Sequence, residues 1–147
     1  MQNKIKDFMY SIVFLFIFSY LLNFFWESYH SVFLYNGHNF ESLRYVPMIG
    51  YVSMIDGLLI LGMYLIVSLL WRNALWIKKP NKIHTATFVI LGLIIGGWIE
   101  YRAVFLLQRW SYNSLMPTVF GIGLSPLLQL SVTGILALLI SKKLVYR

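Results

Sequence analysis

The sequence predicts an all-α membrane protein, a single domain over residues 1–147 with four transmembrane helices. Three observations carry this. Apolar residues make up 59% of the chain and charged residues only 12%, about half the charge of an ordinary soluble domain. The mean hydropathy is +0.72. The few charges lie mostly between long apolar runs rather than within them. This balance excludes a disordered chain, a coiled coil and a nucleic-acid module, and it argues against a soluble enzyme. There is no cysteine, so neither a disulfide nor a thiolate metal site is open to the chain.

The first span is placed at about residues 8–30. Phe8 to Trp26 is a run of nineteen residues without a charge, flanked by Lys4, Lys6 and Asp7 on one side and Glu27 on the other. It lacks the short apolar core and small-x-small cleavage site of a signal peptide, so an uncleaved helix is expected. The second span, about 49–71, carries one charge, Asp56. The third, about 83–107, carries Glu100 and Arg102 near its end. Trp110 to Ser141 holds thirty-two uncharged residues. At 1.5 Å per residue this is about 48 Å, too long for one crossing of a core of about 30 Å. Pro117 is a natural first helical residue, which puts the fourth span at about 118–141.

Orientation follows from the basic residues. Lys4, Lys6, Arg72, Lys78, Lys79, Lys82, Lys142, Lys143 and Arg147 fall on one side, against Arg44 and Arg109 in the two opposite loops. By the positive-inside rule both termini are cytoplasmic and both aromatic-rich loops face out, in a bacterium across the inner membrane. Most of the net charge of +7 is thereby a topology signal. No nucleic-acid partner is implied; the partner is the bilayer.

The halves resemble each other. Trp26 to Leu34 aligns with Trp98 to Leu106 at an offset of 72, with five of nine residues identical and the acid displaced by one. Pro47 and Pro117, Gly50 and Gly121, and the pairs Leu58-Leu59 and Leu127-Leu128 extend the correspondence. A parallel tandem repeat of two-helix units accounts for this. So does a shared need for Trp and Tyr at the outer interface.

Polar and small residues recur at helical spacing in every span: Ser19, Asn23, Glu27 and His30; Ser53, Asp56, Gly57, Tyr64 and Ser68; Gly92, Gly96 and Glu100; Gly121, Ser125, Gln129 and Thr133. Such stripes face the bundle axis, because small and hydroxyl residues let helices approach in lipid. Asp56 and Glu100 each lie about seven residues, about 10 Å, inside the outer ends of their spans, and Glu27 and His30 reach that level if the first helix continues to Tyr35. An acid in the membrane centre costs about 2.5–3.5 kcal/mol, so three of them are functional candidates. Glu27, Asp56 and Glu100 are the candidate proton-transfer or cation-stabilising groups. Asn23, Trp26, His30, Trp98, Arg102, Arg109, Trp110, Tyr112 and Gln129 are candidate binding residues. Arg102, Arg109 and His30 are the available cations, and His30 is expected to bond a neighbouring acid. Glu27-x-x-His30 has metal-ligand spacing but occurs once, so no metal is assigned. No nucleophile motif, phosphate loop or dinucleotide fingerprint appears, and no cofactor is assigned. Arg109-Trp110-x-Tyr112 is either an interfacial anchor or a gate. Pro126, read as lying inside the fourth span, is expected to kink it and free the carbonyl of Ile122. His38 and His84 are given no role.

The string Asn23-Phe-Phe-Trp26-Glu27-x-x-His30-Ser, then Asp56-Gly57, Glu100, Arg109-Trp110-x-Tyr112, Met116-Pro117 and Gly123-Leu124-x-Pro126-x-x-Gln129 resembles a family of small four-span bacterial inner-membrane proteins with no assigned activity. A more distant likeness is to the sterol-isomerase and sigma-2-receptor-like membrane domain, which also buries acids, His and Trp in a compact bundle. Order and spacing do not match it residue by residue, so no roles carry over. The expected function is binding or transforming a lipidic, isoprenoid-like small molecule in an acidic, aromatic-lined pocket toward the outer leaflet. The alternatives are a small proton-coupled or solute carrier acting as a homo-oligomer, and a structural or assembly protein whose polar network only stabilises it.

Overall fold

The computed structural model describes residues 2–37 and 41–146. The chain forms four long helices, α1 (Gln2–Phe33), α2 (Ser42–Leu70), α3 (Lys82–Tyr101) and α4 (Leu124–Val145). A short 3₁₀ turn (Trp76–Lys78) precedes α3, a π turn (Arg102–Leu106) extends it, and a two-stranded hairpin, β1 (Thr118–Val119) and β2 (Ile122–Gly123), precedes α4. All four helices are long and apolar enough to cross a membrane. His38 lies outside the described residues.

The bundle is built for a solvent of hydrocarbon. Its interior holds Ser11, Ser19, Asn23 and Ser53, all fully buried, together with Glu100, Gln129 and Thr133. Its surface carries Phe25, Leu69 and Ile94 at 76%, 77% and 62% exposure. That arrangement is expected where lipid meets the outer face and the polar groups must satisfy one another within the bundle. The hydroxyls largely do so locally: Ser53 donates to the carbonyl of Ile49 at 2.7 Å and Ser68 to that of Tyr64 at 2.8 Å.

The helices pack as two hairpins, α1 with α2 and α3 with α4, joined through α1 against α4. The remaining pair, α2 and α3, meets far less closely. A true two-fold between the halves would make the α1–α4 and α2–α3 interfaces alike, and here they differ. Between α3 and α4 the backbones come close enough that a Cβ on Gly92 would strike the Ser131 hydroxyl and lie 3.0 Å from the Ser131 amide nitrogen. A Cβ on Gly134 would come within 2.6 Å of the Phe88 ring.

At the end bearing the termini the interior is sealed. Leu15, Ile60, Met63, Tyr64, Phe88 and Leu130 join one apolar cluster, none more than 3% exposed. Trp76 stacks on Tyr64 at 5.3 Å and donates its ring N–H to the Tyr64 carbonyl, while the Tyr64 hydroxyl donates to Ala74 at 2.6 Å. Asn81 caps α3 by accepting from the His84 amide at 2.8 Å, which is the ordinary role of an Asn at a helix start.

Three expectations change. The second helix begins at Ser42 rather than near residue 49, so Pro47 lies inside α2. It stands in the second turn, where the missing N–H costs one bond, to the Leu43 carbonyl. The fourth helix begins at Leu124, and Pro117 does not start it. The six residues from Thr118 fold instead as the hairpin, with Phe120 and Gly121 at φ of 51° and 77° in its turn. Gly121 therefore leaves the α4 stripe. Pro126 becomes the third residue of α4, where no intrahelical bond is lost, so the expected kink and freed carbonyl have no cause. Phe120 holds a left-handed conformation that costs a residue with a Cβ about 1–2 kcal/mol.

Close packing at Gly92 gives a signed prediction. Gly92→Ala is expected to lower stability by about 1–3 kcal/mol through overpacking against Ser131. Gly62→Ala, at a mid-helix glycine with nothing within 4 Å of its added Cβ, is expected to raise it by about 0.5–1 kcal/mol. Thermal unfolding of the two variants in detergent micelles checks both signs; a Gly92→Ala midpoint at or above that of the parent would contradict the packing described.

Candidate functional site

The polar side chains of the four helices converge at the end opposite the sealed core. Gln129 on α4 stands at their centre. Its amide nitrogen lies 2.7 Å from Glu27 Oε1 on α1, 2.9 Å from Asp56 Oδ2 on α2 and 3.0 Å from Asn23 Oδ1 on α1. An amide NH₂ has two hydrogens, so three acceptors compete for two donors. Thr133, one turn on from Gln129, donates to the Gln129 carbonyl at 2.8 Å and lies 3.3 Å from the same Asn23 oxygen. Asn23 in turn donates its own amide to the Ser19 carbonyl at 2.8 Å.

Glu100, on the last turn of α3, is held by a second set of donors. The hydroxyls of Tyr35 and Tyr112 and the indole N–H of Trp110 all donate to its carboxyl oxygens, the first at 3.3 Å and the third at 3.4 Å. These three rings come from the segments that follow α1 and the π turn, and the two segments are stitched together. Tyr35 and Tyr112 form a β-bridge. The Asn36 amide donates to the Ser111 carbonyl, and the Asn113 amide to Leu34, each at 3.0 Å. The Asn113 side chain donates to the Phe33 carbonyl at 2.7 Å. The result is an aromatic cover over Glu100, with Tyr35 edge-on to Trp110 at 6.1 Å. Burial, and then the neighbouring Glu100, push both phenols above their ordinary pKa. Both hydroxyls therefore stay protonated and able to donate.

Between these two sets lies a cavity of about 180 Å³, lined by all three acids together with Tyr35, Trp110 and Gln129. A dry cavity of about 150 Å³ already admits a benzene ring. The remaining walls are apolar and belong mainly to the loosely packed pair, with Met48, Ile49 and Val52 on α2 and Gly96 and Ile99 on α3. Among the described residues the ion pairs are Glu41 with Arg44 and Asp7 with Lys78. Among the same described residues, no cation pairs with Glu27, Asp56 or Glu100.

Of the candidate residues, Glu27, Asp56, Glu100, Trp110 and Gln129 line the cavity, Tyr112 bonds Glu100, and Asn23 supports Gln129 from behind. Arg102 and Arg109 are exposed and balance none of the acids. Trp98 is 57% exposed on the outer face. Trp98 and Glu100 are two residues apart, about 200° around a helix, so turning Glu100 inward turns Trp98 out. His30 is fully buried, but its Nε2 pairs with the Ser125 hydroxyl at 2.6 Å rather than with an acid. It packs edge-on against Trp26 at 5.8 Å and Tyr35 at 5.7 Å. The Glu27-x-x-His30 pair therefore splits between two partners, and among the described residues no three of His, Asp and Glu come together as metal ligands. The contributor missed from sequence is Tyr35. It stands two residues past the end of α1 and is brought to Glu100 by pairing with a segment 77 residues on, which no local pattern announces.

Compared with protein-family models, curated proteins and solved structures, the chain matches none.

Proposed function

We propose that this is a bacterial inner-membrane protein, with both termini cytoplasmic, that takes the polar head of a lipidic small molecule into the acidic chamber and binds or transforms it there. One observation carries the reading: three carboxyl groups line one cavity that, among the described residues, no basic side chain lines. A buried acid without a cation calls for donors. The protein supplies two hydrogens from Gln129 for three acceptors, and three donors to Glu100 alone. A head group rich in N–H or O–H donors, or positively charged, complements what is left. Glu27 and Asp56, both on Gln129, are the pair placed to share or pass a proton, and Tyr35 and Trp110 supply the aromatic faces that the sequence had offered at Trp26 and Trp98.

The route of entry supports a lipid-borne ligand. The chamber lies in the gap between α2 and α3, whose apolar walls suit a hydrocarbon tail. Toward the basic end the path meets Ile60, Met63, Phe88 and Leu130, all at 3% exposure or less. A carrier needs a polar way through that half, so this plug weighs against the transport alternative. The asymmetric α1–α4 and α2–α3 interfaces likewise suit a chamber at one interface better than two symmetric sites.

Lipid extraction and mass analysis of the purified protein test the chamber. The native chain is expected to retain a lipidic small molecule. Glu27→Gln, Asp56→Asn and Glu100→Gln should each lower its occupancy about tenfold or more, since a hydrogen bond to a charged group is worth about 1.5–3 kcal/mol. A native protein that retains nothing, or variants that all retain the molecule equally, would overturn the proposal. Failure of all three to accumulate would favour a purely stabilising network.

Orientation is open to a direct check, because the chain has no cysteine of its own. Single cysteines at Ser114 and Lys79, both exposed and in opposite loops, should differ. A membrane-impermeant maleimide is expected to label Ser114→Cys in intact cells and Lys79→Cys only after the membrane is opened.

A further inference from the structure

The hairpin before α4 breaks a local rule. Its two turn residues both need positive φ, a demand that Asn-Gly or Asp-Gly ordinarily meets. Here the first of them is Phe120, at φ 51°. Among the described residues nothing repays that choice, since Phe120 is 98% exposed, the most exposed large apolar side chain of them. A strained, bulky residue kept wholly outside the fold points to something beyond the fold that it touches.

The neighbours identify what that is. Val119 beside it is 42% exposed and Leu115, just before β1, is 69% exposed. Gly121 rests on the Phe105 ring, so closely that a Cβ there would lie 2.9 Å from it. Phe105 belongs to the π turn that ends the third membrane-spanning segment. Its own exposed face continues into Leu106 at 58% and Tyr101 at 41%. The apolar surface of the hairpin is therefore continuous with the lipid-facing surface of α3. Exposed charges near the π turn, Arg102 and Arg109, match the phosphate level of a leaflet.

We propose that the Thr118–Gly123 hairpin is a lipid anchor: Phe120 inserts into the leaflet on the loop side and pins the segment that covers the chamber. The anchor reaches that cover directly. A Cβ on Gly123 would lie 3.0 Å from the Tyr112 ring, and Tyr112 donates to Glu100. A hairpin held by lipid thus fixes the position of a donor over the acid. The inference rests on the four membrane-spanning helices and not on any ligand in the chamber, so the two proposals fail separately.

Site-directed spin labelling tests it, again helped by the absence of native cysteine. The full chain, reconstituted in phosphatidylcholine–phosphatidylglycerol vesicles, is labelled at Phe120→Cys. Ile94→Cys, on the outer face of α3, serves as the lipid reference and Lys79→Cys as the aqueous one. The label at 120 is expected to collide with oxygen in preference to a water-soluble nickel chelate, as at 94. A nickel-dominated signal like that at 79 would overturn the proposal. So would protection from both reagents, which would mean that a second copy or another protein covers the hairpin. A second variant removes the side chain without removing the turn, because Asn accepts the left-handed conformation. In a Phe120→Asn background, a label at Val119→Cys is expected to shift from oxygen toward nickel access. An unchanged ratio there would show that Phe120 does not set the depth of the hairpin and would equally overturn the anchor.

Discussion

The amide of Gln129 is the interaction on which the rest of the polar interior depends. Hydrocarbon offers no hydrogen bonds, so each polar group carried into the bundle must find its partner there. Gln129 takes Asn23 and Glu27 from α1 and Asp56 from α2 and brings them to α4. Three helices are fixed in register by one side chain. The fourth, α3, is fixed by other means: glycine-mediated contact with α4 along one face, and Glu100 held by the aromatic cover at its end. The chamber is the space left between these two fastenings. Removing the Gln129 amide would take away both hydrogens for which the three acceptors compete, and each acceptor then left buried and unmet costs about 1–3 kcal/mol.

The four helices were legible because each is a long apolar run with its charges outside, a pattern that the membrane itself dictates. The inward stripes were legible for a related reason. Ser19, Asn23, Ser53, Gly92, Gly96, Gln129 and Thr133 stand at helical intervals, and all are buried. What failed was local. Composition cannot separate a short apolar hairpin from the first turns of an apolar helix. Phe120-Gly121 lacks the Asn or Asp that marks such a turn, so by sequence the residues from Thr118 read as helix. Pro126 misled in consequence, because the same proline is a kink in mid-helix and harmless in a first turn.

The candidate site was legible by residue type more than by partnership. Rare polar groups in an apolar chain announce themselves, which is why Glu27, Asp56, Glu100 and Gln129 stand out. Their partners obey proximity in three dimensions. Arg102, two residues from Glu100, was an obvious counter-ion by sequence. Two residues are about 200° of helix, and Arg102 points away from the acid for the same reason that Trp98 does. The true donors, Tyr35, Trp110 and Tyr112, are neutral and lie outside the helices; the sequence offers Trp110 and Tyr112 as candidate binding residues in an interfacial anchor or gate, but neither their partner Glu100 nor Tyr35 beside them.

The one-residue displacement of the acid between the halves bears on why there is a chamber at all. In the first half the acid follows its Trp directly, and Trp26 and Glu27, about 100° apart, are both half-buried. In the second half the acid comes one residue later. Turning Glu100 inward then removes the bulk of Trp98 from the interior and presents Gly96, one turn earlier, on the same inward face. Gly96 stands where the aligned position of the first half has Phe24. With Gly96 and Glu100 on its inner face and Trp98 turned out, α3 brings little bulk to the space beside α2. It stays close to α4, where glycine favours contact, and leaves its gap toward α2. The weak α2–α3 interface and the cavity within it thus coincide with this small, polar inner face of α3.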